Sequence, residues 1–438
     1  MSNVVTVEIA RLAYGGRGVA KLPSGKTVFV EGGCPGDKAE IEIVAEHARF
    51  DEARIARIEE ESEHRVRPEC PYSGVCGGCP WQTIDYGMQL EWKRRFVVDA
   101  LSRIGGIEDA ESLVAPCVAS KKQWGYRNKV ELVPAMAGNR LQLGFHGAGT
   151  DDIVPVDACK LLPKSHERAP KALAGALRYL KASDFGLLRV GVRVSKRTNN
   201  TQVALWTETG GFPRKAACDV LASAFKHTSL VRVLTKDDIK ARKPSKVELL
   251  AGTEGWEERL YDNRMTVSAP SFFQVNTAGA ESLIALVRDG LELTEDDIAC
   301  DLYCGAGTFT LPLAEVVDLV FAVESAGSSV RDLRRNLMEN GLDAEVIGGD
   351  AARESRDLGR VDKLVLDPPY SGMSEDVFES IELLAPSRIA LVSCNPTTMA
   401  RDLEGFACLG YSIERVTPVD LFPQTFHVES VVLMTRKP

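Results

Sequence analysis

The chain has 438 residues, too many for one small core, so two or three domains are expected. Apolar residues are 44% and charged residues 26%, which suits a folded globular protein and excludes a disordered or fibrous one. A formal charge of −9 argues against a uniformly basic nucleic-acid binder, but it leaves room for a local basic face such as Lys236–Lys246 (KDDIKARKPSK).

The opening stretch MSNVVTVEIARL lacks the apolar run of a secretory signal, and no segment approaches the roughly 20 apolar residues of a membrane span. A cytoplasmic, monomeric protein with no membrane partner is expected. Its 11 cysteines are then read as metal ligands, a nucleophile or packing residues rather than as disulfides.

Residues 1–60 alternate apolar and polar positions in VTVEIARL, KTVFVEGG and AEIEIVAEH, separated by glycine turns. That pattern predicts a small OB-like β-barrel. A barrel of this kind with basic loop residues, here Arg11, Arg17 and Lys21, and an aromatic such as Tyr14 can bind single strands. Polar residues ending at Pro68 mark a boundary, and a central α+β domain is expected over 61–265. Within it, Leu90, Phe96, Val97, Leu101 and Ile104 share one face of a predicted helix over 86–106, with Gly105 as its C-cap. This helix is a candidate to pack on the C-terminal domain. From 266 to 438 strands and helices alternate, which predicts a doubly wound, Rossmann-like α/β sheet.

The cysteines Cys70, Cys76 and Cys79 lie within ten residues, among Gly74, Gly77 and Gly78. Three soft ligands so close suit zinc or an iron–sulfur cluster, and spacing alone does not choose. Cys159 is the first choice for a fourth ligand and Cys117 the alternative.

In Asp301–Phe309 (DLYCGAGTF) a strand runs into a Gly-x-Gly turn, and Glu324 ends the next strand, where a carboxylate can accept from ribose hydroxyls. The third glycine of a dinucleotide site is replaced by Thr310, and no P-loop lysine follows. S-adenosylmethionine, which has no pyrophosphate to seat, fits better. Asp350, at the end of the third strand, is placed to meet the adenine edge.

Residues 367–370 read DPPY, which alone suggests methylation of the exocyclic amine of adenine. That chemistry needs no cysteine, yet Cys394 is predicted at the end of the following strand, on the rim where open α/β sheets bind ligands. A thiolate adding to carbon 6 of a pyrimidine makes carbon 5 nucleophilic, and a base must then remove the carbon-5 proton. Glu429, at the start of the last strand, can reach the same rim.

With SFFQVN (271–276), DLYCGAGTFTLPLA (301–314), LDPPYSG (366–372), VSCNPTTMARDL (392–403) and HVESVVLM (427–434), the sequence resembles the RNA uracil-5-methyltransferase family. The resemblance implies a class I methyltransferase domain, with Cys394 as nucleophile and Glu429 as base. It further implies Gln274, Tyr303, Glu324 and Asp367 at S-adenosylmethionine, with Thr308 and Asp350 as further contacts. Tyr370 stands where the family often has Arg, and Thr308 where it often has Asn. A rival cytosine-5 class uses a second cysteine at the position of Tyr370. Residues 1–60, through GGRGVA, resemble the TRAM domain of RNA-modifying enzymes. The family also implies a [4Fe–4S] cluster on Cys70, Cys76, Cys79 and Cys159, and Tyr126–Lys129 resembles a stretch near the RNA. Barrel plus cluster resembles members acting on 23S ribosomal RNA more than the shorter transfer-RNA members. Transfer RNA, adenine N6 methylation and a non-catalytic RNA-binding protein stand as alternatives.

Overall fold

The computed structural model describes residues 4–138, 140–235 and 244–436, so most of the basic stretch at 236–246 lies outside the described residues. At the N-terminus six strands form one sheet, in the order Val4–Glu8, Lys38–Glu46, Phe50–Glu60, Thr27–Glu31, Gly18–Lys21 and Arg11–Leu12. The alternation turns Val7, Val28, Val30, Ile41 and Ala53 into a common core.

The central sheet has seven strands, in the order Lys246–Gly252, Ser229–Thr235, Thr201–Glu208, Leu187–Val194, Lys129–Ala137, Arg140–His146 and Ile153–Pro155. Helices Ala169–Tyr179 and Arg214–Ala224 supply Leu173, Leu177 and Leu221 to its core, beside Leu132, Val192 and Leu205.

The C-terminal sheet also has seven strands: Glu345–Gly348, Leu319–Glu324, Ile298–Leu302, Lys363–Leu366, Arg388–Ser393, Glu429–Arg436 and Tyr411–Val419. The first five run parallel, and Glu429–Arg436 is antiparallel to both its neighbours. Leu364 and Leu366 enter one apolar core and Val365 the other, so both faces are covered, as the near-continuous apolar strands require. Strand order reverses between Ile298–Leu302 and Lys363–Leu366, which opens a crevice at their carboxyl ends. The α/β alternation read from the sequence is realised here.

Helix Tyr86–Arg103 joins these parts. Its Val97, Ala100 and Leu101 enter the same core as Met399, Leu403 and Phe406 of helix Pro396–Cys408. Its Trp92 and Phe96 pack with Trp81, Leu12 and Tyr14, on the N-terminal side. The buried face differs from the simple apolar stripe: Gln89 and Lys93 are buried and Ile104 is 49% exposed. Ile104, not Gly105, is the C-cap.

Candidate active site

The strand Ile298–Leu302 ends at Tyr303, whose φ of 66° puts a bulky side chain in the left-handed region, while its N–H and that of Cys304 donate to the Val323 carbonyl. Such strain at the mouth of a ligand crevice is a mark of a functional loop. Gly307 has φ of 99°, and a Cβ there would meet Leu311 Cδ1 at 2.5 Å and Leu333 Cδ1 at 2.6 Å. The turn therefore needs glycine for conformation and for space.

Glu324 accepts from the Gly305 N–H at 3.0 Å and the Ala326 N–H at 2.6 Å, which fixes its carboxylate against the glycine turn. Its Oε1 also accepts from the Ser325 hydroxyl at 3.4 Å, which leaves Oε2 with a lone pair for a further donor. Asp350 caps helix Ala351–Ser355, its Oδ1 accepting from Ala352 and Arg353 N–H at 3.1 Å each. Its Oδ2 is not used by that cap. Thr308 is half-buried in the turn. Below it, Thr310 donates to buried Asp301 at 2.6 Å. Burial pushes the Asp301 carboxyl up to about 8.

Gln274 is buried and its side-chain amide donates to Asp367 at 3.5 Å. Asp367 ends the strand Lys363–Leu366, and burial pushes its carboxyl up to about 7 against that bond. The following loop is held by the Tyr370 carbonyl, which accepts from Asn395 at 3.2 Å and Thr398 at 3.3 Å. The DPPY loop is thereby tied to the segment that carries Cys394.

Cys394 follows strand Arg388–Ser393 and precedes Asn395, the N-cap of helix Pro396–Cys408. Ser393 pairs with Ser430 across the sheet, so Cys394 and Glu429 each lie one residue beyond that pair, at the same edge. Antiparallel insertion of the last strand brings its first residue to the rim where the parallel strands end. Cys394 is half-buried and Glu429 is 3% exposed. Burial, then Glu429, then Asp367 push the Cys394 thiol up to about 12. Burial, then Asp367, hold the Glu429 carboxyl well above the usual carboxylate range. Burial, then Lys93 and Arg127, push His427 down to about 4, so it is neutral.

Cys70, Cys76, Cys79 and Cys159 line one cavity of about 340 Å³, together with Trp124, Arg127 and Phe273. Gly77 donates to the His146 carbonyl at 3.0 Å, and a Cβ at residue 77 would meet the Gly147 carbonyl oxygen at 2.9 Å. The glycine is what lets the cysteine loop lie against the central sheet. Cys117 lies elsewhere, next to Lys93 and Asp420. Among the described residues no three Cys, His, Asp or Glu side chains converge tightly enough for a single metal ion. Zinc would need its ligands at about 2.3 Å from one point.

Several features were not legible in the sequence. A cleft of about 250 Å³ between the central and C-terminal parts is lined by Lys121, Lys122, Lys196 and Arg197. Glu258 also lines it and Arg197 is paired with Glu281, so its cationic character comes from Lys121, Lys122 and Lys196. Of the expected barrel contacts, Arg17 pairs with Glu52 at 3.0 Å and Lys21 donates to Thr27 at 2.8 Å. Arg11 is exposed. Tyr14 is turned inward, against Phe96 and Phe426, rather than presented on an outer RNA face.

The model of the tRNA (uracil-5-)-methyltransferase family matches residues 257–437, and the TRAM domain model matches residues 3–56. An RNA methyltransferase of Gloeobacter violaceus is 36% identical, over 99% of this chain and 97% of its own. One of Bacillus cereus is 32% identical over 99% and 97%. The crystal structure of the Pyrococcus abyssi tRNA (uracil-54, C5)-methyltransferase in complex with S-adenosyl-L-homocysteine superposes with a TM-score of 0.74 at 26% identity, covering 98% of this chain and all of that one. With the reversed sheet, the strained glycine turn and the Cys394–Glu429 rim already in place, these likenesses leave one conclusion: the chain belongs to the RNA uracil-5-methyltransferase family, with a TRAM domain at its N-terminus.

Proposed function

We propose that the protein transfers a methyl group from S-adenosylmethionine to carbon 5 of a uridine in RNA, through a covalent adduct of Cys394. The observation that carries this reading is the placement of Cys394 and Glu429 side by side, one residue past the Ser393–Ser430 pair, at the edge of the sheet where the strands that lead to Tyr303, Glu324 and Asp367 also end. Cys394 Sγ adds to carbon 6 and carbon 5 gains nucleophilic character. After carbon 5 is methylated, Glu429 takes its proton, the Sγ–C6 bond breaks and the C5=C6 double bond returns. When bound, S-adenosylmethionine supplies the methyl group and a positive sulfonium. Gln274, Tyr303, Thr308, Glu324, Asp350 and Asp367 are the residues to hold it. A cation beside Asp367, Glu429 and Cys394 favours their ionised forms. The target base must leave its stack to reach the rim. The cleft with Lys121, Lys122 and Lys196 suits the phosphate backbone alongside.

Cys70, Cys76, Cys79 and Cys159 are the residues to hold a [4Fe–4S] cluster, in a structural role that pins the cysteine loop to the central sheet. 23S ribosomal RNA is the first candidate substrate. Transfer RNA is the second reading, favoured by the end-to-end likeness to the Pyrococcus abyssi enzyme. That likeness removes much of the weight that the barrel lent to ribosomal RNA.

A trap tests the chemistry. RNA carrying 5-fluorouridine has no carbon-5 proton to remove, so it should remain joined to the native protein on a denaturing gel. Cys394→Ala should give no joined species and no methyl transfer. Glu429→Gln should accumulate the joined species on ordinary RNA. Full activity of Cys394→Ala would instead point to amine methylation and the face value of DPPY.

A further inference from the structure

From its resemblance the segment Tyr126–Lys129 is expected near the RNA, yet its polar atoms turn into the protein. The Tyr126 hydroxyl donates to the Pro423 carbonyl at 3.2 Å, Arg127 Nε donates to the Lys129 carbonyl at 2.9 Å, and Lys129 pairs with Glu131 at 2.9 Å. Asn128 is 4% exposed. Its backbone ties the central sheet to the loop 268–276: its carbonyl accepts from the Val194 N–H at 2.7 Å, and its N–H donates to the Val275 carbonyl at 2.7 Å. Its Nδ2 donates to the Gln274 carbonyl at 2.9 Å and to Thr277 Oγ1, at the start of helix Thr277–Leu291, at 3.0 Å. A carbonyl can only accept, so the nitrogen of the amide, and not its oxygen, faces Gln274, and both of its hydrogens are used. The other end of the loop has anchors of its own. Arg193 donates to the carbonyls of Ser268, at 2.8 Å, and of Ser271, and Asp332 accepts from the Ser268 N–H at 2.8 Å.

We propose that Asn128 is a positioning residue for cofactor binding: it fixes the backbone of Gln274, and through it the side-chain amide that meets Asp367 at 3.5 Å. The inference rests on the role proposed above for Gln274 in holding S-adenosylmethionine. Every residue assigned to the cofactor lies in the C-terminal domain, whereas Asn128 belongs to the central one, 146 positions before Gln274. The central sheet thereby takes part in cofactor binding without touching the cofactor. Without the Asn128 amide, the carbonyl of buried Gln274 loses its donor and the backbone at that residue is free to turn. A binding group that must be held in place loses much of its worth when its support loosens.

Asn128→Ala removes both side-chain donors and keeps the backbone bonds. S-adenosylmethionine affinity would be measured by calorimetry, without RNA, for the native protein, Asn128→Ala, Gln274→Ala and the double variant, at a temperature where melting curves show all four folded. RNA affinity would be measured alongside. The expected result is about tenfold weaker cofactor binding in Asn128→Ala, unchanged RNA affinity, and a double variant no weaker than Gln274→Ala alone, because Asn128 acts through Gln274. Asn128→Asp keeps the shape but sets an acceptor against the Gln274 carbonyl, so it should lose at least as much; it carries the same cycle if Asn128→Ala does not fold. Cofactor affinity within about twofold of native, or losses that add in the double variant, would overturn the proposal. Weakened RNA binding with cofactor affinity retained would do the same, since Asn128 would then be an RNA contact. Native affinity in Gln274→Ala would remove Gln274 from the cofactor site and this inference with it. No step of the test needs methyl transfer, so a native protein that binds the cofactor but makes no 5-methyluridine would sink the uridine reading alone.

Discussion

Replacing Lys93 by Met should destabilise the C-terminal domain more than any surface substitution. Lys93 Nζ lies 2.5 Å from Asp420 Oδ1 and donates to the Phe422 carbonyl at 3.1 Å. Both side chains are 0% exposed. Asp420 also accepts from the Tyr86 hydroxyl at 2.8 Å and the Phe422 N–H at 3.1 Å. It opens the loop that carries Phe426 and His427 and delivers Glu429 to the rim. Burial lowers the Lys93 pKa and the Asp420 carboxylate opposes that, so each charge depends on the other. Methionine fills the aliphatic stem but strands the carboxylate, at about 3–5 kcal/mol. At about 2–4 °C per kcal/mol for a domain of this size, the melting transition should fall by roughly 10 °C. Lys93→Met with Asp420→Asn removes both charges and keeps an acceptor for Tyr86 or Phe422. It should recover most of the loss, for a coupling of about 2 kcal/mol or more. Calorimetry of the four proteins of this cycle is the assay. A Lys93→Met protein melting within about 2 °C of native, or additive single effects, would refute the reasoning.

Two further predictions follow from buried groups. Asp301, held up at about 8, keeps in the folded state a proton that the unfolded chain releases near 3.8. Its stabilisation is complete below the unfolded value and is lost as pH rises through about 8, so native stability should decline between pH 5 and 8. Asp301→Asn should flatten that decline by several degrees of melting temperature, measured without cofactor, and an unchanged slope would contradict the assignment. Cys159→Ser should lower bound iron and sulfide and loosen the cysteine loop to proteolysis near residue 77, whereas Cys117→Ser should do neither. Equal iron content in native protein and Cys159→Ser would remove Cys159 from the proposed cluster.

Much of the architecture could be read from the chain because it is carried by local pattern. Period-two alternation marks the N-terminal strands, and strand–helix alternation with a Gly-x-Gly turn marks the C-terminal sheet. Cys394 and Glu429 were legible as strand-end residues, since a doubly wound sheet gathers the ends of its parallel strands on one rim. What escaped notice depends on contacts between distant segments. Lys93 and Asp420 are 327 positions apart, and no periodicity links them. An amphipathic reading sees Lys93 as a break in an apolar stripe, not as a buried cation with a partner. Tyr14 reads as an aromatic on a barrel with basic loops, of the kind that binds single strands. Only the packing of Phe96 and Phe426 against it turns the ring inward. Asp350 was legible as a strand-end carboxylate, but its capping bonds to Ala352 and Arg353 depend on the short helix that follows.

The central claim is methylation of uridine carbon 5. Its most direct test is nucleoside mass spectrometry after incubating the native protein, with methyl-labelled S-adenosylmethionine, on unmodified 23S ribosomal RNA and separately on unmodified transfer RNA. Labelled 5-methyluridine is expected from one of the two pools. Labelled N6-methyladenosine, or no labelled nucleoside in either pool, would contradict it.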